Sequence, residues 1–253
     1  MRVELFYNPR SLIERLAIES QRQRRLGKLK KTVASELKLG HIDSLELLEL
    51  TNPNYPQVIY DIGANIGTWT LLAKSLFPES SIHAFEPLVV HYEAFERNMH
   101  TIADIHLHKV ALGAGNFNLN MQVTSFSDAS SLLEIAEASH EIFGLTKDRE
   151  ETVDVIPLDE YIYHHNLPLP DLIKLDIQGY ELEALKGASH CLTHTKYLII
   201  EVSFLEFYHG QPFFHEIIAF LAENNFYLHG LGINTPLGNT LQQTDVLFIR
   251  KEL

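Results

Sequence analysis

The stretch Val58 to Gly67, VIYDIGANIG, constrains this chain more than any other. An apolar run ends in Asp61 and passes directly into a turn with glycines at Gly63 and Gly67, followed by the helical pattern TWTLLAKSLF. Strand, tight glycine turn and helix, in that order, open a nucleotide-binding α/β unit. Gly63 and Gly67 predict a backbone passing close under a ligand, and the first turn of the helix offers free N–H groups beside it. Spacing narrows the ligand. A G-x-G-x-x-G fingerprint starting at Gly63 needs glycines at 65 and 68, where this chain has Asn65 and Thr68. The close approach that a pyrophosphate requires is missing, so a nicotinamide dinucleotide is disfavoured. The next strand, IHAFEP, ends in Glu86, nineteen residues after Gly67. A carboxylate at the tip of the second strand accepts hydrogen bonds from both hydroxyls of a ribose, which points to a nucleoside.

At these residues the chain resembles class I S-adenosylmethionine-dependent methyltransferases. The resemblance implies that the turn carrying Asp61, Gly63, Asn65 and Gly67 lies under the methionine part. It implies that Glu86 holds the ribose and that Pro87, Ala111 and Asp176 join the cofactor pocket. Composition fits one such domain: 253 residues with 45% hydrophobic content suit a single α/β core. A net charge of -13 gives no positive field for a nucleic acid. The single cysteine, Cys191, forms no disulfide framework and reads as a small buried apolar residue. No apolar run approaches the roughly 18 residues of a membrane span, and MRVELFYNPR lacks the apolar core of a signal peptide, so a cytoplasmic protein is expected.

Residues 1–52 read as a helical extension and 53–253 as the cofactor-binding domain. Leu26, Leu29, Val33 and Leu37 recur at helical spacing, and Asp43 with Glu46 reads as a capping box for SLELLEL. The basic run Arg22, Arg24, Arg25, Lys28, Lys30 and Lys31 is either a solvated helix face or an anion patch, with a lid or a homodimer arm as its other uses. From Pro56 the units alternate. Strands are expected near 57–62, 81–86, 104–111, 171–176, 197–203, 226–231 and 245–250, and helices near 66–77, 88–99, 180–187 and 213–224. Only the loop INTPLGNTLQQT joins the last two strands, so they must pair antiparallel. The expected fold is therefore α/β: a Rossmann-like, mostly parallel seven-stranded sheet with an antiparallel last strand and helices on both faces.

Between the third and fourth strands, NFNLNMQV alternates as an exposed extra strand would, followed by TSFSDASSLLEI. Asp128, Ser130 and Ser131 either bind the acceptor or cap a helix beginning at Leu132. DLIKLDI is a buried strand ending in Asp176, which faces the crevice of Asp61 or else caps the next helix. YLIIEVSF puts Glu201 at the end of an apolar strand, a costly place for a carboxylate without a partner or a task, with His209 just beyond.

VIYDIGANIGTWT, FEP and IKLDIQGYELEALKGA, followed by LIIEVS and the terminal TDVLFIR, are together similar to the FkbM family of methyltransferases. The similarity covers about residues 56–250 and leaves residues 1–50 outside. Gln178 stands where members often have Glu. The resemblance implies S-adenosylmethionine as cofactor and O-methylation of a hydroxyl on a sugar, glycan or natural product. Such a reaction needs the acceptor oxygen held in line with the methyl group and its proton removed. His209 is the candidate base, since histidine titrates near neutral pH, although a surface role is the alternative. Asp176 and Glu201 are the candidate acids beside the reacting atoms, and could hold a divalent ion through oxygen ligands. The pairs His106/His108 and His190/His194 bring no third ligand in sequence and read as structural. The rival functions are N-methylation of protein or nucleic acid, disfavoured by D-I-Q-G at the fourth strand tip, and a non-catalytic binding module.

Overall fold

The computed structural model describes residues 9–126, 128–237 and 240–251, with side chains described outside 9–18 and 233–240. The first eight residues of the expected helical extension lie outside them. The extension supplies α1 (Pro9–Leu29) and α2 (Leu45–Thr51). The strands β1 (Val58–Ile62), β2 (Ser81–Phe85), β3 (Ile105–His108), β7 (Leu172–Leu175), β8 (Tyr197–Ser203), β9 (Phe226–Leu237) and β10 (Thr240–Arg250) form one sheet in the order β3-β2-β1-β7-β8-β10-β9. Only β10 runs against its neighbours. This is the expected sheet.

Both faces are covered, which is why the parallel strands read as continuous apolar runs. On one face Ile59, Ile82, Leu172, Ile199 and Leu247 pack against Trp69, Leu72 and Phe77, of which Trp69 and Leu72 belong to α3 (Thr68–Leu76). Leu29, Leu37, Ile42, Leu45 and Leu48 of the extension join this same cluster. Each such side chain contributes roughly 1.5–3 kcal/mol on burial, so the extension is bound by its apolar residues. On the other face Tyr60, Ile62, Ile173, Leu198 and Ile200 meet α6 (Leu158–His165), α7 (Glu181–Lys186), α8 (Ser189–Leu192) and α9 (Phe214–Glu223). Cys191 lies here, fully buried, and burial pushes its thiol up to about 12. Among the described residues no helix is long and apolar enough to cross a membrane.

Several expectations are corrected. The third strand is cut short, and β4 (Ala111–Leu112) leaves the main sheet to pair with β6 (Lys147–Ile156), which also pairs with β5 (Phe117–Thr124) in a separate three-stranded sheet. The loop INTPLGNTLQQT is largely ladder, with register shifts near Gln243, Val246 and Phe248. Pro236 is tolerated there because β9 is the sheet edge, where a missing N–H breaks no outward pairing. No capping box forms at α2: Ser44 is the N-cap position and its hydroxyl donates instead to Asp245 Oδ2. The basic run is partly paired within the chain, Arg25 with Glu46 and Lys28 with Glu49.

His106 and His108 do share a strand with structural neighbours. His83 Nδ1 lies 2.9 Å from His108 Nε2, His108 Nδ1 lies 3.2 Å from the Tyr161 hydroxyl, and the rings of His83, His106 and His108 stack. Burial pulls His83 and His108 down to about 4. An unfolded chain protonates its histidines near pH 6.5, so below that value the folded state binds fewer protons. The contribution is therefore complete above pH 6.5 and declines as pH falls toward 4. Urea unfolding should show stability falling by on the order of 4 kcal/mol between pH 7.5 and pH 5, and His83→Phe/His108→Phe should remove most of that slope.

Candidate functional site

A cleft of about 350 Å³ opens beyond the carboxyl ends of β1, β2, β7 and β8. From β1 the chain moves outward through β2 and β3, then returns to β7 on the other side, so the cleft lies at the switch point of the sheet.

The floor is the turn after β1. Gly63 has φ +86, and a Cβ there would stand 1.9 Å from the Asp176 carbonyl oxygen. Gly67, the N-cap of α3, has φ +84, and a Cβ would meet Met99 Cε at 2.3 Å. Both glycines thus serve the protein's own close packing. Gly63 and Asn65 line the cleft, whereas Gly67 does not. Glu86, 4% exposed, borders the cleft with Pro87 and Ala111. Its Oε2 accepts the Asn65 N–H at 2.9 Å, and its Oε1 accepts the Leu88 N–H at 2.9 Å with His91 Nδ1 at 3.1 Å. The carboxylate therefore fixes the floor turn to the start of α4 (Val89–Met99) as well as bordering the cleft.

Asp61 lies under the floor, fully buried and away from the cleft wall. It accepts the Thr70 hydroxyl at 2.6 Å, and Lys174 Nζ stands 4.0 Å from its other oxygen. Burial raises the Asp61 pKa; Lys174 and Thr70 oppose the rise. Lys174, itself 5% exposed, donates to Asp176 at 3.0 Å. Burial works against its charge, but Asp176, Asp61 and Asp245 outweigh it and hold the ammonium above its usual range. The arrangement follows from register. Asp61 pairs with Lys174 across β1 and β7, and Glu201 pairs with Asp245 across β8 and β10. Each continues the face that carries Ile59, Leu172, Ile199 and Leu247, so one sheet face turns from apolar to charged at the cleft.

Asp176 and Glu201 both line the cleft, as expected, and the Gln178 amide bridges them, 2.9 Å from Asp176 and 3.0 Å from Glu201. Burial raises Glu201 well above the usual carboxylate range, and neighbouring Asp176 and Asp245 raise it further. The helix-cap alternative for Asp176 fails: Tyr180 is the N-cap of α7, and the Asp176 oxygens accept Lys174 Nζ and the Gln178 amide, while Glu181 accepts the Ile177 and Gly179 N–H groups of the preceding turn at 3.0 and 3.1 Å. Burial pushes Glu181 up to about 7.

Asp128 and Ser130 line the cleft. Ser131 does not; its hydroxyl donates to the Gln178 carbonyl at 2.6 Å. No helix starts at Leu132, and the next one, α5 (Glu137–Phe143), begins later, so the capping alternative for these three falls. His209 does not reach the cleft: its side chain is 57% exposed, with Nδ1 4.0 Å from Glu206. The loop after β8 carries it outward despite its closeness to Glu201 in sequence. Among the described residues no group of three or more His, Cys, Asp or Glu is arranged to hold a metal ion. Lys174 and the Gln178 amide stand between the carboxylates instead.

Lys174, Gln178 and Asp245 were not foreseen as site residues. The signal was present: in VIYDI, LIKLDI, LIIEV and TDVLFI a charge replaces an apolar residue on one strand face. Gly63→Ala adds a methyl group in a left-handed conformation against the Asp176 backbone. It should lower the urea-unfolding free energy by at least about 2 kcal/mol.

The fold is similar to that of magnesium protoporphyrin IX methyltransferase (ChlM) from Synechocystis PCC 6803, a crystal structure with bound SAM, at a TM-score of 0.50 and 12% identity over 92% of this chain and 91% of that one. Three curated relatives align. "Methyltransferase 1" of Beauveria bassiana is 32% identical over 51% of this chain and 57% of its own length. Hexuronic acid methyltransferase AglP of Haloferax volcanii is 23% identical over 64% and 62%, and 2-O-methyltransferase NoeI of Sinorhizobium fredii is 28% identical over 70% and 74%. The chain thus spans less than two thirds of the length of the first two. The Methyltransferase FkbM domain matches residues 61–228, more than half of the sequence, and the chain belongs to that family.

Proposed function

We propose that this chain transfers a methyl group from S-adenosylmethionine to a hydroxyl of a sugar, glycan or natural product by in-line displacement. One observation carries the reading: Glu86 and the bridged carboxylates Asp176 and Glu201 line a single cleft at the switch point of the sheet. The names of two relatives, a hexuronic acid methyltransferase and a 2-O-methyltransferase, support a hydroxyl of a sugar. The cofactor supplies a methyl group already activated on a sulfonium.

The residues fit that cofactor. Glu86 has lone pairs left over after its two backbone hydrogen bonds to accept a ribose diol. The backbone at Gly63 and Asn65 would hold the amino-acid part, with Pro87 and Ala111 against the remainder. Beyond it, the Asp176 side chain is 30% exposed, and Lys174 fixes its orientation. Asp176 orients the acceptor hydroxyl. Glu201, which burial and its acidic neighbours raise above the usual carboxylate range, lines the cleft beside it and is the proton acceptor. Both act mainly as the oxygen attacks, so their effect falls on turnover. The acceptor is a small molecule or glycan, in keeping with a chain of net charge -13.

The test is transfer of labelled methyl groups to a panel of sugars, glycolipids and polyketides, with calorimetry of cofactor binding. Glu86→Ala should weaken S-adenosylmethionine binding by about 10-fold to 1,000-fold through loss of charge-assisted hydrogen bonds. Asp176→Asn should depress transfer far more than affinity. Full turnover in Asp176→Asn would remove it from the reaction, and unchanged affinity in Glu86→Ala would remove Glu86 from the pocket.

A further inference from the structure

Part of the cleft wall comes from outside residues 61–228. His41 and Asp43 line it from the N-terminal extension, and Gln243 and Asp245 line it from β10. These two segments are bound to each other and to the site. The Ser44 hydroxyl donates to Asp245, and the Gln243 amide donates to Glu201 at 3.2 Å. Behind them Ile42 and Leu45 are fully buried, and Arg25 bonds both Glu46 and the Ile42 carbonyl. The wall is therefore a fixed part of the cavity.

Its charge is one-sided. Asp43, Glu86, Asp128, Asp176, Glu201 and Asp245 line the cleft, and among the described residues the one lysine there, Lys174, already faces Asp61 and Asp176. A second, separate observation concerns Trp69. It is 7% exposed and lines the same cleft, and among the described residues its buried indole N–H has no acceptor. A buried donor of this kind suits a ligand oxygen. Ionised carboxylates are acceptors only, so together they suit a ligand rich in hydroxyl donors. A negatively charged ligand would instead be desolvated against like charges.

Resting on the methyl-transfer reading, we infer that the wall built from residues 41–44 and 243–245 selects the acceptor by charge. It admits a polyhydroxylated compound without negative charge and refuses uronates, phosphates and sulfates. The acceptor then differs in charge from the hexuronic acid in the Haloferax relative's name.

Trp69 is the single tryptophan of the chain, so its fluorescence reports on this cleft. The full chain is titrated at constant ionic strength with caesium, iodide and acrylamide. Relative to acrylamide, caesium should quench at least about threefold better than iodide, and Asp43→Asn and Asp245→Asn should each narrow that ratio. Iodide matching caesium, variants that leave the ratio unchanged, or a Trp69 shielded from acrylamide would each overturn the inference. In a second arm, labelled products from a mixed panel of neutral, amino and acidic sugars are passed over an anion exchanger. Label in the flow-through supports the inference. Label retained with the anionic fraction overturns it while leaving methyl transfer intact; no label at all overturns the methyl-transfer reading together with it.

Discussion

A buried lysine, Lys174, ties the cleft to the sheet. It stands between Asp61 under the floor turn and Asp176 on the cleft wall, so one ammonium links the ends of β1 and β7. Such a group is tolerated in the interior only because its carboxylates surround it, and those carboxylates are tolerated only because it is there. The Gly63 turn packs directly on the Asp176 backbone, and Glu86 holds the same turn from the β2 side. Floor and wall are thereby fixed relative to each other before any ligand arrives, which is the condition for in-line attack.

The same charged level extends across β8 and β10 through Glu201 and Asp245 and ends at Ser44 of the extension. The extension is therefore both a cover for one apolar sheet face and part of the cleft wall. Its apolar side chains join the cluster around Trp69, and its polar end reaches the acids.

Much of this was legible in the sequence. Parallel strands buried on both faces leave unbroken apolar runs, so β1, β2, β7 and β8 fall within a residue or two of expectation. Glu86, Asp176 and Glu201 were legible because a charge ending an apolar run has few explanations. Of the second sheet, β5 was legible as the alternating NFNLNMQV, but β6 was not, because KDREETVDVI has an exposed side that makes it read as a polar loop. The contact of Ser44 with Asp245 joins residues 201 positions apart and has no local trace. His209 misled for the opposite reason: nearness to Glu201 in sequence did not become nearness in space.

The central claim, that Lys174 holds the site together, is tested most directly by urea unfolding of Lys174→Met at neutral pH. The side chain is close in size to lysine, so the change removes the charge and leaves the packing. The account predicts a loss of about 3–5 kcal/mol, since Asp61 would remain buried without its cation. A loss below about 1 kcal/mol would contradict it, because the carboxylates would then be accommodated without the lysine.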